Sequence, residues 1–227
     1  MHHVPYTHVL KSGKTVLQQM IDAHYQGARD AARMVEKWRQ LAGRIDKRRY
    51  QVVLRQLEYQ AGHAQVWRDS ICNWLVKESG IADSRGRVGK YLNRVEAEAM
   101  RLDGYEAIDV SPWETASAGQ GVACLEAGGR GAVRWKFMGN AGWFDVSVWY
   151  FDESDGVSQF RLLINEQIVD RWSADDLLPG KVPCGHTATR HKTRRLALRL
   201  GDELRIEATA DADERAVIDY VEIDPAG

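Results

Sequence analysis

The hydrophobic period of this chain changes once, and the change falls on the stretch Arg94-Val95-Glu96-Ala97-Glu98-Ala99-Met100. Upstream, apolar residues recur every three to four positions: Val16, Leu17, Met20, Tyr25, Ala28, Ala32, Val35 and Trp38, then Tyr50, Val53, Leu54, Leu57, Ala61, Ala64, Ile71, Trp74 and Leu75. That is the repeat of one helix face. Downstream the period drops to two, the repeat of a half-buried strand. The chain therefore reads as α + β in two domains. A long α-helical hairpin over residues 1–90 precedes an antiparallel β-sandwich of the jelly-roll kind over residues 91–227.

Local signals set the boundaries. Ser12 is placed to cap the first helix and Gly43 to end it, while Asp46 caps the second and Gly80 stops it. Residues 83–90 read as a polar, glycine-containing linker. Strands are expected over 95–101, 121–126, 131–137, 144–151, 158–164, 167–172, 194–200, 203–208 and 217–223, with Asp155-Gly156 and Asn165-Glu166 as turns. Two long helices packed only on each other leave apolar surface uncovered, so the hairpin is expected to dimerise or dock.

The formal net charge of −1 conceals an asymmetry. Residues 1–90 carry 16 Lys and Arg against 8 Asp and Glu, and residues 91–227 carry 15 against 24. The basic residues of the first part are spread round its helices rather than gathered in a stripe, which argues against nucleic acid. No apolar run is long enough to cross a membrane, and the N-terminus lacks the order of a signal peptide. A cytoplasmic protein is expected from that, or a secreted one if the sequence is a piece of a longer chain. Cys72, Cys124 and Cys184 are too few and too scattered for a disulfide framework or a zinc site, although Cys124 and Cys184 could pair in an oxidising compartment. His2, His3, His8 and His24 lack zinc spacing as well.

Residues two apart in a strand face the same way, so Glu96 and Glu98 would stand side by side. Asp219, in the similar stretch Val217-Ile218-Asp219-Tyr220-Val221-Glu222, could add a third carboxylate from a neighbouring strand. Carboxylates that close need a cation or base between them, and calcium takes several such oxygens. The other reading is a polar edge strand with solvated glutamates. Asp152-Glu153-Ser154-Asp155-Gly156 and Asp175-Asp176 read as acidic turns, or as the donors of a second calcium.

Sugar rings stack their apolar faces on exposed aromatics. Trp113, in a loop after Pro112, and Trp172, closing a hairpin, are the candidates for that role. Trp135, Trp143 and Trp149 read as core. The basic run Arg190-His191-Lys192-Thr193-Arg194-Arg195 reads as a loop whose Arg190 and Arg194 could grip a uronate carboxylate, or simply as a solvated one.

Two resemblances sharpen this. The blocks His2-His3-Val4-Pro5-Tyr6 and Ser12-Gly13-Lys14-Thr15-Val16, continuing through His24-Tyr25-Gln26-Gly27-Ala28, Glu36-Lys37-Trp38, Trp67-Arg68-Asp69 and Ser79-Gly80-Ile81, resemble the C-terminal helical region of family 67 glycoside hydrolases. Those enzymes are α-glucuronidases that release (4-O-methyl)glucuronic acid from xylo-oligosaccharides. Their catalytic carboxylates lie on a (β/α)8 barrel of which this sequence shows no pattern, so no catalytic residue carries over and no activity is expected of this chain alone. For the helical half the resemblance implies dimerisation. The second half, through Glu96-Ala97-Glu98-Ala99, Gly142-Trp143-Phe144-Asp145-Val146, Leu200-Gly201-Asp202-Glu203-Leu204 and Ile218-Asp219-Tyr220-Val221, is similar to carbohydrate-binding modules of the family 6, 35 and 36 group. That likeness implies a structural calcium on Glu96, Glu98 and Asp219. Many members carry an aromatic or Asn before the closing strand, where this chain has Asp211-Ala212-Asp213-Glu214-Arg215.

The function expected is a non-catalytic fragment that binds xylan or glucuronoxylan through a calcium-stabilised sandwich. Two alternatives stand beside it: the C-terminal portion of an α-glucuronidase, active only with its barrel, and a structural spacer without ligand.

Overall fold

A computed structural model of the chain describes residues 5–110, 116–176 and 178–226. It divides into two compact units, Met1–Tyr91 and Leu92–Gly227.

The first unit is a helical hairpin of α1 (Val16–Arg39) and α2 (Lys47–Ser79). Thr15, not Ser12, caps α1, its Oγ1 accepting from the Gln18 N–H at 3.1 Å. Asp46 caps α2 through the Arg49 N–H, and Gly80 ends it at a φ of 67°, a left-handed backbone that glycine adopts without strain. The core of the unit gathers Leu17 and Ile21 of α1 against Ile71, Cys72 and Leu75 of α2, with Tyr6, Tyr25, Trp67 and Val88 around them.

Residues 83–90 are no loose linker. Asp83 is buried and accepts from Gln18 Nε2 at 2.8 Å and from Arg87 Nε at 3.0 Å, and Arg87 reaches on to Asp22 at 2.7 Å. Ser84 closes the loop onto α1, its N–H donating to the Gln18 side-chain oxygen Oε1 at 2.8 Å. Asp83, Ser84 and Arg87 are polar because they bond to α1, while Arg85 and Lys90 are exposed.

The described residues of the second unit form eleven strands in two antiparallel sheets. They are β1 (Arg94–Glu96), β2 (Arg101–Asp103), β3 (Tyr105–Asp109), β4 (Gln120–Cys124), β5 (Arg130–Lys136), β6 (Gly142–Phe151), β7 (Gln159–Ile164), β8 (Gln167–Ser173), β9 (Ala188–Leu198), β10 (Glu203–Thr209) and β11 (Ile218–Pro225). One sheet runs β3-β4-β11-β6-β9 with β1 also on β11, and the other runs β2-β5-β10-β7-β8. Strict alternation of burial along β10 shows why period two was visible: Leu204, Ile206 and Ala208 face the core and Arg205, Glu207 and Thr209 face away.

Three expectations are corrected. The strand expected over 95–101 breaks at a 3-10 turn, Ala97–Ala99, so its two ends enter different sheets. Asp155-Gly156 lies between strands of opposite sheets, whereas Asn165-Glu166, both at positive φ (47° and 70°), is the hairpin turn of β7 and β8. The basic run at 190–195 belongs to β9, in register with β6.

Trp172 is also corrected: it is 9% exposed and its ring lies flat on His191, centroids 4.3 Å apart, with Phe160 stacked at 5.2 Å. A ring covered by protein cannot stack on a sugar. The stack instead clasps β8 to β9 across the sandwich edge, where Asp170 Oδ2 accepts from Thr193 Oγ1 at 2.6 Å and pairs with His191 Nε2 at 2.9 Å. Burial pushes the Asp170 carboxyl up, but these bonds outweigh it and hold it below its ordinary value. Asp170→Asn is expected to lower the sandwich's stability by about 1–2 kcal/mol, read as a thermal-melt shift. A melt within error of the parent would remove the clasp from the account.

Candidate functional site

The strands that share one edge of β11 define the acidic pole. β4 meets β11 at Ile218 and β1 meets it from Tyr220 onward, and between those two residues β11 shifts register against β6. Asp219 is the residue at that shift, and such irregularities re-aim a side chain. It is 2% exposed. The Ser117 N–H donates to both of its oxygens at 3.2 Å, while Ser117 Oγ lies 2.7 Å from Glu96 Oε2 and 3.1 Å from Asp219 Oδ1. One hydroxyl proton can serve only one of those two carboxylates at a time. Burial, and after it the Glu96 charge, push the Asp219 carboxyl well above its usual range.

Glu96 and Asp219 are therefore brought together, as the sequence suggested. Glu98 is not. It falls in the 3-10 turn, where the two-residue rule of a strand no longer applies, and its buried Oε2 has no hydrogen-bond partner among the described residues. Burial pushes its carboxyl up. Arg94 supplies the positive charge nearest Glu96, at 3.9 Å, and lies over the Tyr220 ring at 3.7 Å while pairing with Glu222 at 3.1 Å. The donors at this pole are hard oxygens of the kind calcium takes, two carboxylates and a hydroxyl. Among the described residues no three His, Cys, Asp or Glu side chains converge as a metal group.

The sugar candidates fare differently. Trp113 lies outside the described residues. Arg190 holds its guanidinium over the Trp149 ring at 5.3 Å, and Arg194 is exposed on β9. Trp149 is core-like, stacked on Tyr220 at 5.3 Å. Trp143, read as core, is 58% exposed at the start of β6. Its alternation with polar neighbours hid this, because the outer face of a strand also alternates. A groove of about 570 Å3 lies at one end of the sandwich, lined by Asn93, Trp135, Phe137, Met138, Asn140 and Phe144. The buried Trp135 Nε1 has no acceptor among the described residues. Aromatic walls with a few polar groups suit a pyranose, whose faces are apolar and whose rim is hydroxyl.

The loop read as an acidic turn after β6 is not solvated either. Asp152 and Glu153 are buried beside Glu214, which is fully buried, and Glu214 Oε2 accepts from the Ser158 N–H at 3.3 Å. Cys72, Cys124 and Cys184 are all free, so the pairing of Cys124 with Cys184 is not made.

Residues 1–88 match the family model described as Glycosyl hydrolase family 67 C-terminus. Over nearly its whole length the chain is similar to the probable alpha-glucuronidase A of Aspergillus flavus, 44% identical across 99% of this chain and 27% of that protein. Alpha-glucuronidase A of Emericella nidulans is 43% identical across 100% of this chain and 27% of its own length. The chain thus spans 27% of the length of these curated relatives, and its described residues form a helical hairpin and a sandwich, not a (β/α)8 barrel. Among solved structures it is similar to a family 35 carbohydrate-binding module from Clostridium thermocellum, at 17% identity over 59% of this chain and 98% of that one, with a TM-score of 0.45. It is also similar to a carbohydrate-binding module CBM36 in complex with calcium and xylotriose, at 20% identity over 59% of this chain and 100% of that one, with a TM-score of 0.40. By sequence the helical part resembles the C-terminal region of family 67 glycosyl hydrolases, and the whole chain resembles part of the α-glucuronidases.

Proposed function

We propose that this chain is a non-catalytic part of an α-glucuronidase-type enzyme whose sandwich binds xylan or glucuronoxylan and is stabilised by calcium. One observation carries the reading. The family model ends at residue 88, yet the alignment to an α-glucuronidase, 44% identical overall, extends over 99% of the chain and so includes the sandwich. The sandwich has stayed with an activity directed at glucuronic acid, and a polysaccharide grip is the service it can offer such an enzyme. Trp143 and the groove at Trp135 offer the aromatic surface for it. The calcium would sit on Glu96, Asp219 and Ser117 Oγ, and it would relieve the shortage of protons between those carboxylates. The helical hairpin, with Met20, Met34 and Val52 exposed, serves dimerisation or docking on the rest of the enzyme.

Affinity electrophoresis in glucuronoxylan, neutral arabinoxylan and cellulose gels, with calcium and with chelator, tests both parts. Retardation in the xylans and not in cellulose is the expected result. Chelator is expected to lower the melting temperature of the parent and to leave Asp219→Asn unchanged. Migration unaffected by every gel would remove the carbohydrate-binding reading. A parent whose melt ignores chelator would remove the calcium.

A further inference from the structure

The outer face of the second sheet carries a set of arginines that only the strand register assembles. Arg101 of β2 pairs with Arg134 of β5, and Arg134 pairs with Arg205 of β10, so three guanidinium side chains stand in one row across three strands. The next row sets Arg161 of β7 beside Arg171 of β8, with Glu207 of β10 in line. Arg130 of β5 joins at the following position, opposite Thr209. Neighbouring strands lie about 4.8 Å apart, and like charges placed opposite one another destabilise a sheet. Something has to compensate.

The protein compensates in part. Glu207 bonds Arg161 at 2.7 Å and Arg205 at 3.1 Å, Glu166 takes Arg205 at 2.6 Å, and Asp103 takes Arg134 at 3.3 Å. Nε of Arg134 and Nε of Arg205 are buried without an acceptor among the described residues. Arg101, Arg130 and Arg171 are exposed. Two shallow grooves, about 390 and 290 Å3, run between the rows, the first lined by Arg130, Arg161, Arg171 and Ser173 and the second by Asp103, Arg130 and Arg134.

We propose that this face binds a carboxylate-bearing polysaccharide, with uronate groups held in the grooves by Arg130, Arg161 and Arg171 and with the exposed Arg101 beside them in the first row. The guanidinium fork matches a carboxylate in two parallel bonds, which a flat sheet can offer at several points along one chain. Residues 91–227 as a whole are acidic, 24 Asp and Glu against 15 Lys and Arg, so a dense polyanion such as nucleic acid would be repelled by the remainder of the unit. A polymer with sparse carboxylates meets only the basic rows. A protein partner would need several apolar anchors, and the large exposed ones among the described residues of this sheet are Ile168 and Val169 at the start of β8, each 38% exposed. The inference deepens the carbohydrate-binding reading and rests on it, but it places the uronate on a different surface from Trp143 and the Trp135 groove.

The test compares binding of glucuronoxylan with binding of the same polymer after chemical reduction of its carboxyl groups, at low and at physiological salt. The parent is expected to bind the acidic polymer about tenfold more tightly, an advantage that salt erodes. A variant combining Arg101→Gln, Arg130→Gln and Arg171→Gln, with the parent's melting temperature, is expected to lose that advantage and keep the parent's affinity for the reduced polymer. Equal binding of the two polymers by the parent overturns this proposal and leaves carbohydrate binding standing. Binding of neither overturns both. Tighter retention by DNA at matched salt, or self-association that the triple variant abolishes, gives the face to another occupant and also overturns it.

Discussion

Replacing Arg87 with methionine is expected to destabilise the helical unit by about 3 kcal/mol, because it takes the cation from the buried Asp83 carboxylate and one of several partners from Asp22. Arg87 bonds Asp83 through Nε and Nη2, both at 3.0 Å, and Asp22 through Nη2 at 2.7 Å. Its guanidinium also covers the Tyr25 ring at 4.2 Å, so the loss removes a cation–π contact with the ion pairs. Burial pushes the Asp22 carboxyl up, yet the bonds from Lys14, Arg87 and Gln18 together hold it down to about 2. Asp83 is likewise held well below the usual carboxylate range, against its burial, by Arg87 and Gln18. A folded value below the unfolded one, near 3.9, means stability that is present above about pH 4 and lost as pH falls toward 2. The helical signal at 222 nm should therefore melt earlier in acid in the parent, and Arg87→Met should melt early at neutral pH with a flatter acid limb. A variant within about 1 kcal/mol of the parent in urea would show that the network only decorates the hairpin.

That network also marks a limit of reading a sequence. Gly80 and Asp46 act through bonds to near neighbours, and they were legible for that reason. Asp83 is tied to Gln18, 65 residues away on α1, and its neighbour Arg87 to Asp22, also 65 away, so the stretch read as linker. The same limit governs the sites. Glu96 and Asp219 were found because their stretches echo one another, whereas Glu98 was misplaced because a 3-10 turn interrupts the strand that would have aligned it. Trp172 looked like a hairpin-end platform until His191, from the opposite sheet, covered it. β3 went unseen because its burial pattern is mostly exposed, which leaves little hydrophobic period to detect. The arginine rows draw on five strands from Arg101 to Arg205, and no local pattern announces them; register alone does.

Between pH 5 and pH 8 the sandwich is expected to lose about 3 kcal/mol of stability in chelator, roughly 10 °C of melting temperature, and Glu214→Gln should abolish most of that loss. Glu214 is fully buried in the turn before β11, with the acidic loop after β6 pressed against it so closely that a Cβ on Gly156 would lie 2.2 Å from the Asp211 carbonyl oxygen. Burial first, and then the charges of Asp152 and Glu153, push its carboxyl up to about 8. Glu153 is pushed up to about 7 by burial and then by Asp155. Both folded values lie above the unfolded value near 4.3, so the sign is opposite to that of Asp22. The stabilising contribution is complete below about pH 4 and disappears as pH rises through 7 and 8, where ionisation forces charge into the interior. Glutamine keeps the shape and the acceptor for the Ser158 N–H but cannot ionise, so Glu214→Gln should match the parent at pH 5 and melt higher at pH 8. A parent melt that is flat across this range, or a variant that runs parallel to the parent at both ends, would mean that Glu214 does not change its protonation between these two pH values and would remove it from the account.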